Sequence, residues 1–360
     1  MTSKLSAQEN MFPSWLPLKE GWLKEIIKNS NKKVVNVLRN YKEEFEILDI
    51  IQICENVNCL DFVISEYLEN SSVSVTVKIF KAQLLKALCK NKNPEISKVL
   101  SKYLPEIDSF WISYFSENVN AVSLLEGFNN YESLDKKTWI NLCKNENAIN
   151  IIKKNLLYIK KIPFNEGWIS LCSNKKAVDI LKENVNYFDE SCIVELCLNE
   201  DMIEIVEKCI GRLIGDGYWK RLCRNSGAME FIYRNWNRCE KYIEDICLNP
   251  NSNILDRYIK DKKITKQMWY NLCKNENAAS IILSRVNDLP IECFDILCQN
   301  KNCVNLAIAN KDKLTKVGWE KLCEFPDKKI LDFIGENINK VSLEGLKKLY
   351  KNPCILEYSN

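Results

Sequence analysis

A cysteine returns at positions 143, 172, 197, 223, 247, 273, 298 and 323 of this 360-residue chain, with successive gaps of 29, 25, 26, 24, 26, 25 and 25. Such a period predicts one small supersecondary element repeated many times. An element of this size cannot bury its apolar face alone and must stack on its neighbours. Length then says little about domain number, because repeat arrays grow in one dimension.

The clearest copy runs from Trp139 through Leu142, Cys143, Asn145, Asn147, Ala148, Ile149, Ile151 and Ile152. Others open at Trp168, Trp219, Trp269 and Trp319, and copies lacking the tryptophan end on Cys197, Cys247 and Cys298. Trp, Leu and Cys at i, i+3 and i+4 lie on one side of a helix, so each first helix buries that stripe. Alanine followed by an aliphatic pair gives the second helix its own stripe. Between them, the first asparagine is expected to close helix one in the left-handed conformation. The second (Asn147, Asn251, Asn277, Asn302) is expected to cap helix two. Leu134-Asp135, Phe188-Asp189, Ile264-Thr265 and Leu314-Thr315 read as hydrophobic staples at the start of helix one. Leu16-Pro17 and Ile162-Pro163 read as proline starts.

Weaker copies surround Cys54, Cys89 and Trp111 to Phe115, with a degenerate first copy at Trp22 and a truncated last one at Leu349-Tyr350. The expectation is therefore all-α: an α-solenoid of about 13 two-helix repeats of period 25–29, spanning 15–357 after a flexible tail at 1–14, with Phe12 and Trp15 as candidate covers of the first repeat. Terminal copies are expected to degenerate because they face water. Only the segment near 70–80, with Ser71 to Val77, breaks the rhythm, and it reads as an irregular insertion.

Composition narrows the chemistry. The chain has no histidine, which removes the commonest general base and metal ligand. Its 17 cysteines include no C-x-x-C, and most are repeat anchors, so they read as buried core thiols in a reducing compartment. Cys54/Cys59, Cys192/Cys197 and Cys298/Cys303 have no standard zinc spacing. A net charge of +3 does not require an anionic partner. No stretch resembles a signal peptide or a membrane span. No phosphate-binding loop, dinucleotide fingerprint or nucleophile–histidine pair is present.

The pattern W-x-x-L-C-x-N-x-N-A-I-x-x-L resembles short helical repeats, usually with serine in place of the cysteine, in protein families of giant double-stranded DNA viruses. It is also loosely similar to all-helical leucine-rich repeat variants. The resemblance, clearest from Trp139 to Cys323, implies a fold and a viral origin but no activity. The Lys-, Asn- and Ile-rich usage, as from an AT-rich genome, agrees with it.

The resulting expectation is a non-catalytic scaffold for protein–protein interaction or virion assembly. It would act in the host cytoplasm or in the particle, with no cofactor, metal, membrane or small-molecule substrate. The partner would be another protein, viral or host. The alternative is a nucleic-acid-binding solenoid using a basic face. The candidate partner-binding row follows the anchor cysteines, where the residue type varies most: Lys144, Leu198, Arg224, Leu248 and Lys274, with Ser173 and Gln299 at equivalent places.

Overall fold

The computed structural model describes residues 12–69, 76–104, 109–209, 211 and 215–358. Among them every regular element is helical and no strand occurs. The chain divides into two compact units. One joins the residues before Asp108 to those from Leu314 onward, and the other is Asp108–Lys313.

In the Asp108–Lys313 unit, the anchor-bearing helices Ser109–Glu117, Lys136–Lys144, Glu166–Cys172, Glu190–Leu196, Asp216–Arg224, Ile243–Ile246, Lys266–Lys274 and Cys293–Leu297 each pack on the next in chain order. Four of the five that carry a tryptophan reach nine residues, whereas Ile243–Ile246 and Cys293–Leu297 are four and five. The capping residues of the expected staples act as caps. Asp135 accepts from the Thr138 amide at 2.7 Å, Asp189 from Cys192 at 3.0 Å and Thr265 from Met268 at 3.2 Å. Trp139, Trp168, Trp219 and Trp269 are buried with the leucines and cysteines of their stripes. The second helices, such as Ile149–Lys154 and Ala279–Ser284, are six residues long and follow a single 3-10 turn. Helices this short are marginal alone and depend on packing for their stability.

The asparagines depart from expectation. Asn145 and its equivalents are extended (φ −81°, ψ 112° at Asn145), not left-handed. Their Oδ1 accepts from the amide two residues on, while Nδ2 reaches back to the preceding segment. Asn174 donates to the carbonyls of Cys143 (2.9 Å) and Asn145 (3.2 Å), Asn249 to Cys223 and Asn225, Asn275 to Cys247 and Asn249, and Asn300 to Cys273 and Asn275. The last carbonyls of a helix have no intrahelical partner, and each buried asparagine supplies one to the helix before it. Local capping alone would have needed only the side-chain oxygen. The second asparagines mostly do the same at the rim: Asn147 donates to Val119 and Asn277 to Pro250, whereas Asn251 caps its helix as expected. Asn145 donates to Ser116, which makes Ser116, not Phe115, the anchor of the Trp111 copy.

Gly227 occupies the rim position. A Cβ there would stand 2.5 Å from the Glu200 carbonyl oxygen, a backbone atom that cannot swing aside. Gly227→Ala should therefore cost about 1–3 kcal/mol by overpacking, read as a lower melting temperature. Gly217→Ala, where nothing lies within 4 Å, is the control.

In the other unit the same bonding runs from Asn91 to Cys54 and Asn56, and from Asn56 to Ile27 and Asn29. It then passes from Asn29 to the carbonyls of Tyr350 (2.9 Å) and Asn352 (2.8 Å), and from Asn352 to Cys323 and Phe325. The first segment thus uses the last as its predecessor. Asn31 donates to Pro353, Tyr350 Oη donates to the Pro17 carbonyl at 2.7 Å, and Lys351 pairs with Glu25. The Trp22–Ile26 helix packs on Leu343–Lys351. This corrects the expectation that both terminal copies face water: here they cover one another.

Phe12 is buried edge-on to Trp22, and Trp15 lies against Gly335 and Tyr358. Phe12 and Pro13 are thus buried rather than part of a free tail, as expected of Phe12 as a cover of the first repeat, while 1–11 lie outside the described residues. So do 70–75, whereas Thr76–Leu88 is a helix, which removes 76–80 from the expected irregular insertion. Of the two proline starts one fails: Gly21, at φ +80°, precedes the Trp22 helix. Pro163 does open a 3-10 turn, Pro163–Asn165, in which Phe164 and Asn165 are left-handed before the α-helix begins at Glu166.

Candidate interaction surface

The anchor cysteine faces the core, so the next residue on the helix leaves it at the solvent edge. Lys144, Ser173, Leu198, Arg224, Lys274 and Gln299 are all exposed, Leu198 to 46%. Leu248 is only half-buried, which makes it a partial exception in the row. The helices that carry or directly precede these residues pack in chain order, which places them in one series along the Asp108–Lys313 unit.

Arg224 is not idle. Its Nε and Nη2 donate to Oδ1 of Asp245, at 2.7 Å from Nε, and the Asp245 side chain is nearly buried. Removing the guanidinium would strand a carboxylate. Allowing for the half-exposed arginine, the cost is about 1–2 kcal/mol. Arg224 therefore serves the fold as well as the surface, a role that the spacing of charges in the sequence did not signal. The row as a whole mixes two lysines, an arginine already paired, two leucines and two neutral polar residues, so it is no continuous cationic track.

Behind the row the chemistry is quiet. Sixteen of the 17 cysteines are buried, Cys354 is half-buried, and all are free thiols. Burial pushes Cys54, Cys89, Cys143, Cys197, Cys247 and Cys323 up to about 12. Thiol–thiol contacts add to burial at Cys172 (with Cys192), Cys223 (with Cys239) and Cys273 (with Cys293), raising these anchors further while lowering the buried partners Cys239 and Cys293. A thiol that does not ionise is a poor nucleophile and a poor metal ligand. Cys59 and Cys303 fill the alanine place and are buried as well. Among the described residues no three His, Cys, Asp or Glu side chains gather where they could hold a metal ion. Native protein titrated with an aromatic disulfide reagent should show roughly one rapidly reacting thiol, Cys354; rapid labelling of Cys143 or Cys223 would contradict the burial.

The stripe tryptophans Trp139, Trp168, Trp219 and Trp269 lie under aromatic or cationic neighbours rather than open to solvent, whereas Trp111 and Trp236 are half-buried. Trp139 stacks on Tyr158, Trp168 on Tyr187 (interplanar angle 7°) and Trp219 on Phe231, while the Arg285 guanidinium lies over Trp269. Buried and stacked in this way, these four offer no free platform for bases. No family model, no curated protein and no solved structure matches the chain.

Proposed function

We propose that this chain is an α-solenoid of about thirteen short two-helix repeats that works without catalysis, as a scaffold for protein–protein interaction or virion assembly. The observation that carries this reading is the contrast between two series of positions. The buried places, such as Leu142, Cys143, Asn145 and Ala148, recur with little change. The exposed place that follows each anchor changes from lysine to serine to leucine to arginine. Substitution there costs the stack little, so that is where a repeat protein can encode one partner. The back-bonding asparagines support the repeat architecture, because they use the same atoms from one segment to the next. Interspersed leucines with a paired arginine suit a protein surface better than a polyanion, which needs a continuous basic track. The resemblance to giant-virus repeats supports a viral or host protein as partner, in the cytoplasm or the particle, and the buried thiols suit a reducing compartment.

The test leaves Arg224 and Leu248 in place, since both are partly structural. Wild-type protein and a Leu198→Glu/Lys274→Glu variant are immobilised, offered extract of infected cells with and without nuclease treatment, and compared by quantitative mass spectrometry. The expected result is a small set of proteins held by the wild type and lost by the variant at an unchanged melting temperature. Identical retention would remove this row as the interface. Retention that depends on nucleic acid would favour the alternative.

A further inference from the structure

We propose that the link from Leu156 to Asn165 is a docking edge for an anionic lipid bilayer. This link belongs to the longest gap in the regular series from Cys143 to Cys323, the 29 residues from Cys143 to Cys172. It forms a short helix, Leu156–Lys160, and the Pro163–Asn165 turn. Ile159 and Ile162 are buried and fix it to the unit. Leu157, Lys160 and Lys161 lie on one side by their i, i+3, i+4 spacing and are exposed, Leu157 to 70%. Phe164 is 85% exposed and holds φ +57°, a conformation that bulky L-residues rarely adopt. Asn165, also left-handed, is tied down by bonds to Asp189 (2.9 Å) and the Tyr187 carbonyl (3.3 Å). Within the fold, Phe164 combines backbone strain with almost no burial, and stored strain of this kind concentrates at functional sites.

Charge gives the occupant its sign. Lys153, Lys154, Lys160 and Lys161 are exposed, and no carboxylate occurs from Asn147 to Asn165. None of the four is in an ion pair among the described residues; Lys160 lies over Tyr187 and Lys161 over Tyr158. The nearest carboxylates each have a partner, Glu132 in Tyr158 and Asp189 in Asn165 of the link itself and Glu166 in Lys136, while Glu126 lines the same cleft as Lys153 and Lys154. Projecting leucine and phenylalanine tips among lysines suit the headgroup–acyl boundary, which accepts apolar wedges while anionic headgroups meet the cations. An oligonucleotide would use the lysines and Phe164 but leave Leu157 in water. No helix among the described residues is long and apolar enough to cross a membrane, and this contact needs none. It goes beyond the scaffold reading and uses different residues from the post-anchor row.

The test is co-sedimentation of the full chain with phosphatidylcholine vesicles, with and without about one-third phosphatidylserine. Binding is expected only to the anionic vesicles and should weaken with salt. Leu157→Ser/Phe164→Ser should lower the partition coefficient about tenfold or more, and Lys160→Glu/Lys161→Glu should abolish binding, both with unchanged helical circular dichroism. Phe164→Gly should lose affinity while raising the melting temperature, because glycine relieves the left-handed backbone; this separates a docking role from a structural one. The proposal is overturned if wild type binds both vesicle types equally or neither. It is also overturned if the variants bind like wild type, or if the Leu157/Phe164 change affects only capture of a protein or of a single-stranded oligonucleotide.

Discussion

Asn275→Ala should destabilise the protein by about 3–5 kcal/mol, far more than an ordinary polar-to-alanine change. The buried amide donates to Cys247 at 3.0 Å and Asn249 at 2.8 Å, and its oxygen accepts from the Asn277 amide at 3.1 Å. Alanine strands two carbonyls and one N–H, each costing about 1–3 kcal/mol when no water reaches it. Asn275→Asp should be comparably severe, since a carboxylate cannot donate to two carbonyls. Lys274→Ala, one residue away but exposed, should shift stability by less than about 0.5 kcal/mol. Chemical denaturation of the three variants gives the comparison. Equal effects for Asn275 and Lys274 would mean that the back-bonds contribute nothing.

Asn29→Ala should loosen both ends of the chain together. Asn29 holds the carbonyls of Tyr350 and Asn352, while Tyr350 binds Pro17 and Lys19 from the other side. At Glu25, burial works to raise the carboxyl pKa, but Lys351 and Lys28 outweigh it and hold the group below the ordinary carboxylate range. Its contribution is therefore present above the unfolded-state pKa and lost as pH falls through the lower folded value. In the variant, amides of Trp22–Ile26 and Leu343–Lys351 should exchange roughly 100-fold faster or more, as expected for about 3 kcal/mol of lost local stability. Lys266–Lys274, in the other unit, should keep its protection. Faster exchange confined to the N-terminal helix would show that the last helix does not depend on the first.

The helical stripes, the caps at Asp135, Asp189 and Thr265, and the buried cysteines were all legible in the sequence, because each is a local pattern whose period matches the helix. The second role of the asparagines was not. A residue between two helices looks the same whether it caps its own turn or reaches back to the preceding one, and only burial on both sides distinguishes them. The meeting of Asn29 with Tyr350 was equally hidden, since nothing local marks a contact between the ends of a chain. For the surface, position alone located the exposed row correctly at Lys144, Leu198 and Lys274. It could not see that Arg224 neutralises a carboxylate one segment on, or that Leu248 is half-covered. The long gap before Cys172 was the one visible sign of the Phe164 link, and it gave no hint of the left-handed backbone there.

The most direct measurement of the central claim, that the first segment bonds to the last as any segment bonds to its predecessor, is zero-length carbodiimide cross-linking read by peptide mass spectrometry. Lys90 and Glu55, in consecutive segments, stand 2.8 Å apart, and so do Lys351 and Glu25 at opposite ends of the chain. Both amides should form in dilute protein with comparable yield, and the second should fall in Asn29→Ala while the first persists. A Lys90–Glu55 link with no Lys351–Glu25 link under the same conditions would contradict it.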